Sequence, residues 1–178
     1  AYDISSVTTV PNATDPTKMN PSIKFKFKKN GTDVVFNTYA AGSVEEMMTG
    51  FVGSPSVYFA WAVPQDGITS PADYNATAGT YIKNIWRGDG KDVKGAALAA
   101  TAQGTMTGPD SSGYYTLTMT GVFIPSDAKM LTGGIGFTYS VATTQPLTQI
   151  DVAKYPYTPN SERLDPNKTD GSKVNAGV

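Results

Sequence analysis

The chain has 178 residues, with 14 basic and 15 acidic side chains, a formal net charge of −1, and neither cysteine nor histidine. The absence of these two residue types excludes disulfides, thiolate nucleophiles, imidazole bases, Cys/His metal sites and the C-x-x-C-H motif that attaches c-type haem. The nearly balanced charge offers no basic surface for nucleic acid. The longest apolar run, from Val57 to Val63, is far shorter than the roughly 20 residues that cross a bilayer. We therefore expect no nucleic-acid partner and no membrane insertion by this chain.

The composition favours strands over helices. The chain has 23 Thr, 10 Tyr and 7 Phe against 5 Leu, 3 Glu and 2 Arg, and 18 Gly and 12 Pro interrupt it throughout. Side chains that pack on a pleated sheet are thus common, and helix formers are scarce. The sequence predicts an all-β fold, either a Greek-key split barrel or an immunoglobulin-like sandwich, with about seven or more short strands and at most one or two short helices. We expect residues 1–145 to form this domain and residues 146–178 to form an extended strap or linker.

The first third of the chain contains the clearest strand pattern. Residues 3–10 alternate loosely and predict a first strand, and residues 11–21 predict a polar loop. Residues 22–28 predict a strand with Ile23, Phe25 and Phe27 on one face and three lysines on the other. Those lysines could bind a ligand, but we interpret them as a solvated face that discourages edge pairing. An Asn30-Gly31 turn then predicts that residues 34–39 return as the hairpin partner.

The middle of the chain contains one ambiguous segment and one strongly apolar segment. Residues 43–46 have the S-x-x-E form of a capping box, which indicates either one or two helical turns or an irregular loop. Residues 56–63 are apolar at both alternating positions, which predicts a central strand buried between two layers, with Trp61 in the core.

The remaining segments predict shorter elements. Residues 79–87 carry Tyr81 and Trp86, and the Arg87-Gly88-Asp89 that follows is interpreted as a turn rather than an integrin-type motif. Residues 96–102 are alanine-rich and fit either a short helix or a small-residue strand. Residues 104–107 and 114–120 predict a second hairpin, a short apolar segment covers 122–124, and residues 133–141 predict the last strand.

No group of residues indicates catalysis. Most carboxylates lie in turn sequences, where an aspartate is explained by bonds to its own backbone. A hydrolase would need two acids about 5–10 Å apart, and no predicted strand carries an inward-facing acid. We assign no catalytic, cofactor-binding or metal-binding residue and expect the chain not to be an enzyme.

Three groups of segments carry a family resemblance. The first is residues 51–60 (FVGSPSVYFA), continuing into 63–68 (VPQDGI) and 71–76 (PADYNA). The second is residues 113–118 (GYYTLT), followed through Ile124-Pro125 by 130–134 (MLTGG), and the third is residues 145–149 (QPLTQ). Together they resemble the haem-free N-terminal β-domain of OmcA/MtrC-type outer-membrane decahaem c-type cytochromes.

The resemblance implies a role beside haem domains. Such cytochromes lie on the extracellular face of the bacterial outer membrane and transfer electrons to metal oxides or soluble shuttles, and their β-domains resemble split Greek-key barrels. This chain would then be a non-catalytic structural or docking domain with no cofactor of its own, and c-type haem would be held elsewhere in the parent protein. Its partners would be neighbouring haem domains, outer-membrane cytochrome or porin partners, or a mineral surface. Some relatives carry a cysteine pair linked to flavin binding, which this chain lacks.

The alternative function is a carbohydrate-binding or adhesive β-sandwich module. Such modules contact their ligands through exposed aromatic side chains. Trp86 and Tyr81 are the candidate contact residues, because both lie close to predicted turns.

Overall fold

The computed structural model describes residues 1–43, 46–140 and 173–175. In these residues, nine strands form two antiparallel sheets, joined by one short α-helix and a single 3-10 turn at Ala100–Ala102. The all-β, sandwich-like class predicted from the composition is confirmed. The strands in chain order are β1 (Tyr2–Pro11), β2 (Met19–Lys29), β3 (Thr32–Asp33), β4 (Val52–Ala62), β5 (Ala76–Tyr81), β6 (Thr105–Thr107), β7 (Tyr115–Thr118), β8 (Lys129–Ser140) and β9 (Lys173–Asn175).

The two sheets differ in how their strands are ordered. The first sheet has the order β1-β2-β7-β6, with β3 added to the end of β2. The second has the order β5-β4-β8-β9, in which β4 pairs with β8 along nearly its whole length and with β5 from Ser56 to Trp61. The interior strands are therefore β2 and β7 in the first sheet and β4 and β8 in the second. The interpretation that the lysines of β2 protect an edge is wrong, because β1 and β7 lie on either side of that strand.

The core lies between the facing surfaces of the two sheets. Ile23 and Phe25 of β2 and Val57 and Phe59 of β4 are at most 1% exposed and belong to one contact cluster. Alternation with a period of two places these residues on the inner face, as the sequence predicts. Trp61 is 7% exposed and belongs to the same cluster, which confirms its predicted place in the core.

Residues 34–39 do not form the predicted hairpin strand. Pairing along β2 ends with Thr32 and Asp33 in β3, after which the chain continues without strand pairing, with Val35 exposed and Phe36 buried. There the Phe36 ring stacks on Tyr115 with centroids 4.1 Å apart, and the Phe36 N–H donates to the Tyr115 hydroxyl oxygen at 2.9 Å. The prediction was wrong because this contact with a residue 79 positions away outweighs local strand propensity.

A short α-helix, α1 (Ile82–Arg87), follows β5 directly. Ile82 and Ile85 are buried one turn apart on the side that faces the core, a spacing typical of a helix. Gly88 ends the helix with φ 65° and donates its N–H to the Ile85 carbonyl, which is the usual left-handed C-terminal cap. Neither α1 nor any other helix in the described part of the chain has the length and apolar character needed to span a membrane.

Two buried asparagines hold the segment after β7 in place. Asn20 donates its side-chain N–H groups to the carbonyls of Val122 at 2.6 Å and Thr120 at 3.3 Å. Asn12 donates to the Asn20 side-chain oxygen at 2.9 Å. Side chains thus take the place of a strand ladder here, which explains why residues 122–124 form only a single bridge from Ile124 to Met19.

Three further predictions agree with the structure in part or not at all. Residues 96–99 are irregular apart from one bridge from Ala97 to Lys91, and Ala100–Ala102 form the 3-10 turn. The predicted short helix or small-residue strand over 96–102 is therefore wrong. No helix follows the predicted capping box at Glu46 to Met48, while Val44 and Glu45 lie outside the described residues. Strand β8 begins at Lys129, four residues before the predicted start. Its predicted last residue, Val141, and most of the predicted strap also lie outside the described residues; Lys173–Asn175 pairs with β8 as β9.

Candidate binding face on the second sheet

Three cross-strand rows form the part of the second sheet's outward surface where β5, β4 and β8 pair side by side. The register of β5, β4 and β8 aligns the rows one above another. Because paired residues and residues two apart share one side of a sheet, all nine belong to the same surface. We call this surface the uncharged face, and its rows are Thr77–Ala60–Thr132, Gly79–Tyr58–Gly134 and Tyr81–Ser56–Gly136.

The ring of Tyr58 lies between two glycines. A Cβ atom added at Gly79 would lie 2.9 Å from Tyr58 Cδ1, and one added at Gly136 would lie 3.0 Å from Tyr58 Cε2. The ring therefore fills the layer that side chains at these two positions would occupy. At Gly134, directly opposite Tyr58, an added Cβ would meet nothing within 4 Å, so the surface beside the ring is open.

This arrangement leaves a groove lined by aromatic and small side chains. The groove has a volume of about 620 Å³ and is lined by Tyr58 and its neighbours on β4, β5 and β8. Tyr58 is 55% exposed and Tyr81, diagonal to it across the β4–β5 pair, is 59% exposed. Thr77 and Thr132 are both exposed at the end of the face away from Tyr81. The prediction that both faces of the central strand are buried is therefore wrong for the face that carries Tyr58.

The chemistry of the uncharged face is restricted to stacking and neutral hydrogen bonding. None of its nine residues is an Asp, Glu, Lys or Arg. Lys129, where β8 begins opposite Ala62, is the first charged side chain along that strand. Aromatic faces bind apolar or C–H-rich surfaces, and Thr, Ser and Tyr hydroxyls both donate and accept hydrogen bonds.

The outward surface of the first sheet has the opposite character. Lys24 Nζ lies 2.7 Å from Asp110 Oδ2, and Lys26 Nζ lies 2.8 Å from Asp33 Oδ2. Tyr114 donates its hydroxyl to Asp3 Oδ2 at 2.8 Å. We call this surface the charged face; its residues are Asp3, Lys24, Lys26, Asp33, Asp110 and Tyr114. Two of the three lysines of the predicted stripe, Lys24 and Lys26, are paired within the chain, so these two give no support to the interpretation of a ligand-binding stripe.

Hydrogen bonds on the charged face change the proton affinities of its groups. The Lys24 ammonium, followed by the backbone N–H groups of Tyr114 and Ser112, lowers the pKa of Asp110 to about 2. The hydrogen bond to Asp33 raises the pKa of Lys26, and the bond to Asp3 raises the pKa of Tyr114. Each shift favours the protonation state that makes the contact.

The two contact residues predicted from the sequence lie in different environments. Tyr81 is exposed and belongs to the uncharged face. Trp86 is partly buried on α1, where its indole N–H donates to the Asn37 carbonyl at 2.6 Å and its ring lies edge-on to Tyr39 at 5.3 Å. The structure therefore does not bring Tyr81 and Trp86 together into one platform.

The two charged side chains of the Arg87-Gly88-Asp89 sequence pair with each other. Arg87 Nη2 lies 2.9 Å from Asp89 Oδ2, and the guanidinium lies over the Tyr39 ring at 4.7 Å. This pairing raises the pKa of Arg87 and lowers that of Asp89. With both charges engaged by each other, the tripeptide acts as the predicted turn.

Tyr58 is the residue that sequence analysis missed. Its neighbours on the chain are apolar, so the pattern indicated burial. The useful signal was the group of glycines at 133, 134 and 136 in the predicted last strand, since glycine within a strand often marks a close approach by another group.

No metal-binding cluster accompanies these surfaces in the described ranges. Within residues 1–43, 46–140 and 173–175, no group of three or more Asp, Glu, His or Cys side chains could hold a metal ion. A scan of protein-family models, a search of curated proteins and a search of solved structures each find no match to this chain.

Proposed function

We propose that this chain is a non-catalytic structural and docking domain of a bacterial cell-surface multihaem cytochrome that passes electrons to metal oxides or soluble shuttles. The observation that carries the proposal is the set of sequence segments between residues 51 and 149 that resemble the haem-free β-domain of such cytochromes. The two antiparallel sheets agree with the all-β class that the resemblance implies. Since no match to a known protein adds to it, these segments are its main support.

The arrangement of charges is compatible with a non-catalytic role. On the charged face and in the Arg87–Asp89 turn, charged side chains pair with a partner in the same chain. A catalytic site is instead recognised by titratable groups that converge in a cleft, whereas Lys24, Lys26 and their partners lie on the outward surface of the first sheet. In the proposed parent protein, c-type haem belongs to neighbouring domains, at the extracellular face of the outer membrane. Those haem domains, a cytochrome or porin of the outer membrane, or a mineral surface are the proposed partners.

The test is the gene and its full product. The proposal predicts several C-x-x-C-H motifs in the reading frame that encodes this chain, and a full-length product that stains for haem on a denaturing gel. The isolated chain of 178 residues should be colourless and redox-silent. A reading frame without such motifs would contradict the proposal.

A second candidate, a carbohydrate-binding or adhesive module, is favoured by the uncharged face. Tyr58 and Tyr81 expose more than half of their surface on the uncharged face, none of whose nine residues is charged. Exposed tyrosines beside neutral hydroxyls suit a polyhydroxylated ligand. Incubating the chain with an array of neutral and acidic glycans tests this candidate, and absence of binding to every glycan would contradict it.

A further inference from the structure

We infer that the uncharged face binds a neutral polysaccharide, with Tyr58 and Tyr81 stacking on sugar rings and Thr77 and Thr132 bonding to their hydroxyls. The inference rests on the carbohydrate-binding candidate and adds to it the contact residues and the ligand class. Its first support is the preorganised ring of Tyr58. A Cβ atom at Gly79 or Gly136 would lie 2.9 or 3.0 Å from this ring, so the two glycines leave the space that the ring occupies. A tyrosine side chain, with only two χ angles, loses little conformational freedom when a ligand stacks on it.

The absence of charge selects the kind of ligand. An acidic polysaccharide, a phosphate group or a basic peptide would find no countercharge among the nine residues of the face. A neutral sugar chain needs none, because its C–H faces stack on aromatic rings and its hydroxyls exchange hydrogen bonds with threonine and serine. The charge pattern of the face thus matches a neutral, hydroxyl-rich ligand.

The size of the face favours a sugar chain over a protein partner. Three rows along β4 span ~14 Å and three strands span ~10 Å, which gives an area of ~140 Å² between the outermost backbone positions of the face. A stable protein interface buries about 800 Å² on each partner, so a second copy of this chain would need several times that area. A groove of about 620 Å³ lies within the range of about 300–1,000 Å³ that is typical of small-ligand sites.

The relative positions of the two tyrosines fit an extended ligand. Tyr58 and Tyr81 are diagonal neighbours on adjacent strands, a relation that separates side chains by roughly 7–8 Å. The threonine pair flanks Ala60 on the other side of Tyr58. A chain that crosses the face would therefore meet a tyrosine, a second tyrosine and then a pair of hydroxyls.

The test is affinity electrophoresis of the full 178-residue chain in native gels that contain mixed-linkage β-glucan, xyloglucan, galactomannan or dextran, with polygalacturonate as the acidic comparison. Pull-downs on cellulose and chitin cover the insoluble neutral polymers. We expect retardation or capture by at least one neutral polymer and about tenfold weaker binding by Tyr58→Ala, the loss typical of a central aromatic contact. Tyr81→Ala should weaken binding less, because its ring lies at the border of the face.

Two further variants separate a lost contact from a lost fold. Gly134→Val adds methyl groups where a Cβ would meet nothing within 4 Å, so it should fold normally and still block the groove. Phe123→Ala removes an aromatic ring that is 44% exposed beside Lys18, next to the bridge from Ile124 to Met19 of the first sheet, and should leave binding unchanged. Circular dichroism of every variant checks the fold.

The possible results are distinguishable. No binding to any polymer would contradict both the inference and the carbohydrate-binding candidate. Binding that persists in Tyr58→Ala and Gly134→Val would leave the candidate standing and overturn this assignment of the face. Binding to polygalacturonate alone, or a dimer that depends on Tyr58 and binds no glycan, would overturn it in favour of a charged surface or a second copy. The haem content of the full-length product is independent of all these outcomes.

Discussion

The two outward surfaces of this sandwich differ in charge and in how far their side chains are already paired. On the charged face, Lys24 and Lys26 each contact a carboxylate within 2.8 Å, so the surface satisfies its own charges. On the uncharged face, a tyrosine is seated between glycines and its ring is left open to solvent. A partner that approached the charged face would have to compete with existing ion pairs, whereas a partner on the uncharged face displaces only water. The comparison teaches that a surface rich in charge can be less available for binding than a neutral one.

The substitutions with the largest expected effect test whether the inner faces of the two sheets contribute equally to the stability of the core. Phe25 on the inner face of the first sheet is fully buried, and Phe59 on the inner face of the second is 1% exposed. Phe25→Ala and Phe59→Ala should each lower the free energy of unfolding by about 3–5 kcal/mol, through lost burial and the cavity left behind. Urea denaturation measures both values. If one variant loses almost nothing, its sheet does not share the common core.

Substitutions with an intermediate effect test whether the Tyr58 ring needs the space that the glycines leave beside it. An added Cβ at Gly79 would lie 2.9 Å from both Tyr58 Cδ1 and the Val57 carbonyl oxygen, and the backbone oxygen cannot move aside easily. Gly79→Ala should therefore lower the free energy of unfolding by about 1–3 kcal/mol, as overpacking does. The matched control is Gly134→Ala, which has free space around the new methyl group and should raise stability by about 0.4–1 kcal/mol. Equal changes in the free energy of unfolding for Gly79→Ala and Gly134→Ala would mean that the position of the Tyr58 ring does not depend on glycine at residue 79.

The smallest effect concerns pH and the charged face. Hydrogen bonds from Lys24 and from two backbone N–H groups lower the pKa of Asp110 to about 2, below its ordinary value near 3.9. A carboxylate with a lowered folded-state pKa stabilises the fold above its unfolded value, and this contribution is lost as pH falls from about 4 through about 2. Asp110→Asn should flatten this part of the pH dependence of stability, measured by denaturation at several pH values.

Salt and a variant of the other face provide the controls for that experiment. Because the Lys24–Asp110 pair is partly exposed, high salt should weaken its contribution. Thr132→Val on the uncharged face adds and removes no charge and should leave the pH profile unchanged. An Asp110→Asn profile that overlays the parent profile would show that the charged face contributes nothing through this carboxylate.

Sequence alone predicted the features that depend on local alternation. The inner-facing residues of β2 and the core position of Trp61 follow from a period of two and from apolar character. The stretch from 34 to 39 has a similar local pattern, yet its outcome is decided by the distant ring of Tyr115. Helix α1 was missed because its six residues offer only Ile82, Ile85 and Trp86 as a helical pattern.

The candidate site was predictable only in part. Tyr81 could be proposed from its place near a turn, and it does belong to the uncharged face. Tyr58 could not, because its exposure depends on which residues lie opposite it. The pairing register places Gly79 and Gly134 on either side of Tyr58. The residues near Tyr58 in the sequence do not determine the register between strands that are distant along the chain.

The measurement that tests the central claim most directly is a titration of the isotope-labelled chain with the neutral oligosaccharide whose polymer binds best, followed by backbone amide NMR. The account predicts shifts concentrated at the three rows of the uncharged face and little change at the amides around Lys24, Lys26 and Asp110. Shifts concentrated at the charged face, with the amides near Tyr58 unmoved, would contradict it.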